Sequence, residues 1–133
     1  MDEKTLRQYV SLKKETEDIK KRIFRLKNEV NKMRNDGIIS ADTNTYIEKQ
    51  VLRAEYIDRL TDLEQKLIKK TVEIENYISA IPDSFIRQII RYKYVDGMSW
   101  ERTARKMGGY NTRDSIRMTA KRFFHKDNIK KSC

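Results

Sequence analysis

The chain has 133 residues, 38% hydrophobic and 38% charged, with 4 glycines and 1 proline; this excludes a large enzyme core and a turn-rich sandwich or barrel, and favours long solvated helices. Its net charge of +10 is unevenly placed: residues 1–82 carry 17 Lys and Arg against 15 Asp and Glu, and residues 83–133 carry 13 against 5. A basic segment joined to a charge-balanced one predicts that the C-terminal part meets a polyanion. Nucleic acid fits better than an anionic membrane, because no basic stretch is paired with a strongly apolar helical face.

The lone cysteine, Cys133, allows neither an intrachain disulfide nor a zinc cluster, which predicts a reducing, intracellular setting. The opening MDEKTLRQYV is charged from its second residue, unlike a signal peptide. No apolar run approaches the roughly 20 residues that span a bilayer, so the expected location is the cytoplasm.

From Tyr9 the apolar residues fall in heptad step, with Leu12, Ile19, Leu26 and Met33 at one position, Tyr9, Ile23 and Val30 at the other, and Thr16 filling the gap. Lys13, Lys14, Glu15, Glu17, Lys20, Lys21 and Arg25 lie between them as a solvated face. Asn35, Asp36 and Gly37 carry helix-stopping chemistry, and Asp42 or Thr43 can cap a second helix. That helix has Leu60, Leu67, Ile74 and Ile81 in register, with Tyr56, Leu63 and Tyr77 as partners. The short connection predicts an antiparallel hairpin over residues 1–81, with helices at about 3–35 and 43–81. Two helices bury little surface, so a second copy, another protein or the C-terminal domain must cover this coiled-coil-like arm; a homodimer fits the heptads.

Pro82 ends the second helix, and Asp83 or Ser84 can cap the next, whose apolar residues are Phe85, Ile86, Ile89, Ile90, Tyr92 and Tyr94. Gly97 closes it. Ser99 then caps a short helix with Glu101 in its first turn and Trp100, Ala104 and Met107 along its inner side, ending at Gly108 and Gly109. Asn111 can cap a last helix, with Asp114 three residues on, on which Ile116, Ala120 and Phe123 point one way. Arg113, Arg117 and Lys121 recur on the opposite side, flanked by Ser115, Met118 and Arg122. A short helix, a glycine turn and a helix with arginines at its N-terminal end match a helix-turn-helix. There an arginine can bind guanine O6 and N7, a methionine can touch a thymine methyl, and cations farther along hold phosphates.

The string FIRQIIRYKYVDGMSWERTARKMG…NTRDSIRMTAKRFF resembles the region 4 helix-turn-helix of sigma-70-type factors. Ser99, Glu101 and Ala104 match the support helix, and Thr112, Arg113, Asp114, Ile116 and Arg117 match the recognition helix. A long helical arm followed by IPDSFIRQIIRYKYVDGMSW is similar to small phage-encoded transcription regulators of the RinA/ArpU kind. The resemblance covers about residues 82–124. It implies that Arg113, Asp114, Ser115, Arg117 and Met118 face bases, that Ser99, Arg102, Thr112, Lys121 and Arg122 lie near phosphates, and that RNA polymerase is a further partner. Between Gly108 and Ile116 the chain has about two residues more than the sigma pattern, and Thr103 and Thr119 stand where apolar residues are usual.

The expectation is an all-α protein: an arm (1–81), a helix-turn-helix domain (82–126) and a basic tail (127–133). It would regulate transcription in the cytoplasm of a phage's host by binding double-stranded DNA, without cofactor, metal or membrane. A phage terminase small subunit also joins a helix-turn-helix to oligomerising helices, but there the DNA-binding domain usually comes first. A third reading is an interaction module for an acidic protein. Enzymatic chemistry is not expected, since the sole histidine, His125, has no paired nucleophile and no phosphate-binding loop is present.

Overall fold

The computed structural model describes residues 1–35 and 43–132, the side chains of 33–35, 43–45 and 130–132 excepted. The described residues are all-helical: α1 (Glu3–Arg7), α2 (Tyr9–Asn35), α3 (Thr43–Ser79), α4 (Ser84–Ile90) with a π-helical turn continuing it (Arg91–Val95), α5 (Trp100–Met107) and α6 (Arg113–Ser132). None of these helices is long and apolar enough to cross a membrane. The turn chemistry expected of Asp36, Gly37 and Asp42, the side chains of Met33, Asn35 and Thr43, and Cys133 lie outside the described residues.

Two compact units form, residues 1–12 with 70–133 and residues 13–69. In the first unit, the helix expected over 3–35 begins instead as the separate short helix α1. The Asp2 carboxylate caps it, accepting from the Thr5 amide at 2.9 Å and the Thr5 hydroxyl at 2.6 Å. The Gln8 amide then closes a tight turn on the Thr5 carbonyl at 3.2 Å. Leu6 and Tyr9, three residues apart on either side of this break, both lie inward, and Leu6 is fully buried. Tyr9 is also buried and donates its hydroxyl to Glu75.

Helix α3 stops at Ser79, short of the expected residue 81, because a proline disfavours helical geometry in the residue before it. Asp83 caps α4 by accepting from the amides of Phe85 and Ile86. The π-helical turn carries Tyr94 into the core, and the Asp96 amide reaches back to the Arg91 carbonyl. Gly97 reverses the chain at φ +69°, a conformation that side chains with a Cβ resist. Residues 127–132, expected as a tail, continue α6, and Tyr77 donates to Asp127 at 2.6 Å. The core of this unit is made by Leu6, Ile74, Ile78, Ile81, Ile89, Ile90, Tyr94, Ile116, Ala120 and Phe124, all at most 5% exposed.

In the second unit, Thr16, Ile19, Ile23, Leu60 and Leu67 are buried and Leu26 and Val30 are half-buried. Lys27, Val30 and Asn31 of α2 line a groove with Gln50, Val51, Ala54 and Ile57 of α3. The inward seam of α3 differs in part from the expected one. Leu60, Leu67, Ile74 and Ile81 are buried as expected, but Thr71 and Ile78 fill the alternate positions, while Tyr56 and Leu63 are exposed and Tyr77 is half-buried. A helix can take its next inward step after three residues or four. Three from Leu67 would bury Lys70, whereas four brings in Thr71 and leaves the ammonium in water.

Candidate nucleic-acid interface

The candidate interface lies wholly in the first unit, on helices α5 and α6, which pack against each other and against α4. Ser99 caps α5 through its hydroxyl, which accepts from the Arg102 amide at 3.1 Å, and Glu101 sits in the first turn. Thr103 occupies a fully buried position without penalty, because its hydroxyl donates to the Ser99 carbonyl at 2.9 Å. The half-exposed Thr119 does the same with the Ser115 carbonyl. Trp100 is only half-buried: its ring meets Tyr94 edge-on at 6.2 Å, and the Lys93 ammonium stands 5.0 Å from its centroid.

The connection from α5 to α6 uses two left-handed glycines, Gly108 at φ +73° and Gly109 at φ +65°. Asn111 does not cap α6. Its side-chain amide turns back to donate to the Gly108 carbonyl at 2.8 Å, which braces the longer turn. Thr112 takes the cap, in a reciprocal box with Ser115 instead of the expected Asn111 and Asp114. The Thr112 hydroxyl accepts from the Ser115 amide at 3.1 Å, and the Ser115 hydroxyl accepts from the Thr112 amide at 2.9 Å.

Ile116, Ala120 and Phe124 form the buried side of α6; Phe123, expected there, is half-buried. A constant step of four residues carries the inward stripe to Phe124, whose ring meets Tyr94 edge-on at 5.9 Å. Arg113, Asp114, Ser115, Arg117, Met118, Lys121 and Arg122 are all exposed on this helix, as is Thr112 at its cap. The residues expected to face bases are not equally available. The Ser115 hydroxyl is engaged in the cap, and Asp114 pairs with the Arg113 guanidinium at 3.5 Å. Arg117 and Met118 have no such partner among the described residues.

Arg113, Arg117 and Lys121 come together with Trp100 around a cleft of about 380 Å³, whose remaining lining is Glu3 and Arg7 of α1. The sequence reading missed these two residues. Glu3 accepts from the Tyr94 hydroxyl at 2.8 Å and from the Arg7 guanidinium at 2.9 Å. Partial burial works to raise the Glu3 carboxyl, but those two hydrogen bonds and the charges of Arg7 and Lys121 outweigh it and hold the group below its ordinary value. Burial, and then the bond to Glu3, push the Tyr94 phenol up.

Arg102 stands apart from this cleft and shares a second one, of about 280 Å³, with Arg105 and Lys106 on α5. Ser99 and Arg122 are exposed and line neither. Among the described residues no group of three or more His, Cys, Asp or Glu side chains is placed to hold a metal ion. No family model, curated protein or solved structure matches the chain.

Proposed function

We propose that the protein is a sequence-specific DNA-binding regulator of transcription, encoded by a phage or mobile element and acting in the host cytoplasm. In this reading α5 and α6 form a helix-turn-helix of the sigma-70 region 4 kind, and α6 enters the major groove of promoter DNA. The observation that carries it is the two-sidedness of α6: Ile116, Ala120 and Phe124 are buried, while Arg113, Arg117 and Lys121 stand exposed around one cleft. A cationic ridge mounted on a packed core is what a groove-reading helix requires. The long helices serve assembly. Arg22, Arg25, Leu26 and Glu29 share a groove with Tyr56, and Val30 shares one with Val51 and Ala54, which supports an antiparallel hairpin. Exposed Phe24 and Leu52 on the same unit support a homodimer. RNA polymerase is a further partner that the sigma-like reading implies, and the protein acts by binding and not by catalysis.

Selection of bound sequences from a random duplex pool tests this reading. A defined site is expected; with it in hand, Arg117→Ala should cost about 1–3 kcal/mol on that site and relax its specificity, whereas Lys121→Ala should weaken all duplexes alike. Equal losses on the selected and random duplexes for Arg117→Ala would overturn the base-reading role of α6.

A further inference from the structure

Helix α1 is tied to the recognition face by a defined route. Tyr94, buried in the core and edge-on to both Trp100 and Phe124, donates to Glu3, and Glu3 in turn accepts from Arg7 one turn along. The Arg7 side chain is 64% exposed, and one nitrogen, Nη2, is bound to Glu3. A guanidinium has five N–H donors in a rigid fork, so donors remain to face outward. Arg113, Arg117 and Lys121 line the same cleft, and Arg117 and Lys121 have no ion pair among the described residues. Four cations therefore line one open cleft with Glu3, itself held ionised by two donors, and Asp114, which pairs with Arg113, offsets one of them, so cations remain in excess. Like charges gathered at this density repel, and an anion entering from outside relieves the repulsion.

We propose that the Arg7 and Lys121 side of this cleft seats a backbone phosphate of the bound duplex, with Arg7, carried by the N-terminal helix, as one of its ligands and Arg117 left to read bases. The proposal rests on the DNA-binding reading above and extends its interface to an element 106 residues before the start of α6 at Arg113. Glu3 is a positioning residue: it shares its carboxylate between the core tyrosine and Arg7, and so aims the remaining guanidinium donors into the cleft. Such a contact fixes register and adds affinity without reading sequence.

The test is the salt dependence of binding by the full chain to its selected duplex and to a random duplex, with Arg7 varied in charge. Each lost phosphate contact flattens the slope of log affinity against log salt by about 0.9. Arg7→Ala should do so on both duplexes equally, Arg7→Glu should flatten it further, and Arg7→Lys should restore most of it. Lys20→Ala, on the exposed face of α2, serves as the charge control and should leave the slope unchanged; thermal melts of each variant report whether α1 still folds. Unchanged slopes for Arg7→Ala in a chain that binds DNA would overturn the phosphate site alone. Tighter binding by Arg7→Ala would also overturn it, making α1 a cover over α6. Absence of salt-dependent binding to any duplex by the unaltered chain would overturn the DNA-binding reading together with this one.

Discussion

The two compact units are both helical but invest their apolar residues differently. In the unit built from residues 1–12 and 70–133, Leu6, Ile74, Ile89 and Ile90 are completely shielded and Ile78 and Ile116 nearly so. In residues 13–69 the best-buried positions, Thr16, Ile19, Ile23, Leu60 and Leu67, keep 5–9% of their surface, while Phe24 is 66% and Leu52 63% exposed. The difference follows from geometry. A helix crossed by several others is covered around much of its girth, whereas a helix with one neighbour has a single narrow seam. The first unit shields its inner side chains completely, whereas the second leaves large apolar side chains in water.

The strongest way to break this contrast is to open a cavity in each unit. Ile116→Ala, at a site 1% exposed on the inner face of α6, should cost about 2–5 kcal/mol in chemical denaturation. Ile23→Ala in the second unit should cost distinctly less, because water already reaches the seam. Equal costs would mean that the thin unit is packed as tightly as the thick one. Next in size is the cap of α6: Thr112→Ala removes the hydroxyl that accepts from the Ser115 amide and should cost about 1 kcal/mol of stability. If Asn111→Ala proved the more damaging of the two, the brace on the Gly108 carbonyl would outrank the cap in holding α6.

The cap also shows where the sequence was legible and where it was not. That α6 begins just after the glycine turn, with cations on one side and Ile116 and Ala120 on the other, follows from spacing alone. Which of two adjacent cap-forming residues takes the cap does not, because Asn is by preference the stronger cap and yields to Thr112 only as Asn111 reaches back to Gly108. The same limit governs α3, where steps of three and four both give a heptad, and the end of α6, where two neighbouring phenylalanines compete for one core position. The docking of α1 left no local trace at all: Tyr94 and Glu3 are 91 residues apart in the chain, and a helix of five residues has no periodicity to read. Candidate residues on α6 were thus accessible to pattern reasoning, and the half of the cleft built by Glu3 and Arg7 was not.

Acid should loosen that long-range contact before it affects the core. Glu3 is held below its ordinary value of 4.5 in the folded protein, with desolvation opposing and the bonds from Tyr94 and Arg7 prevailing. A carboxylate depressed in this way contributes stability that is present above about pH 4.5 and is lost as the pH falls through its folded-state value. Asp2 shifts in the same direction, chiefly through its bond from the Thr5 hydroxyl. Melting followed from about pH 6 down to about pH 3 should therefore decline more steeply in the unaltered chain than in Glu3→Gln, which carries no titrating group at that position. Parallel declines would show that the ionisation of Glu3 adds nothing to the stability of the first unit.

The smallest effect on folding, and the sharpest on the contrast between units, is expected where apolar side chains already face water. Phe24→Lys or Leu52→Lys removes no buried contact within the chain, so the stability of an isolated copy should stay within about 0.5 kcal/mol. A dimer formed through this surface would respond quite differently, because each lysine would be desolvated on association and repelled by its symmetry mate. Sedimentation of the unaltered chain should then give a mass that falls with dilution, a melting temperature that rises with concentration, and loss of both trends in either variant. A monomer at every concentration would assign the exposed Phe24 and Leu52 to a different protein partner. The second unit would then be an arm that reaches another molecule, and under the proposed DNA-binding reading the selected site would have a single half.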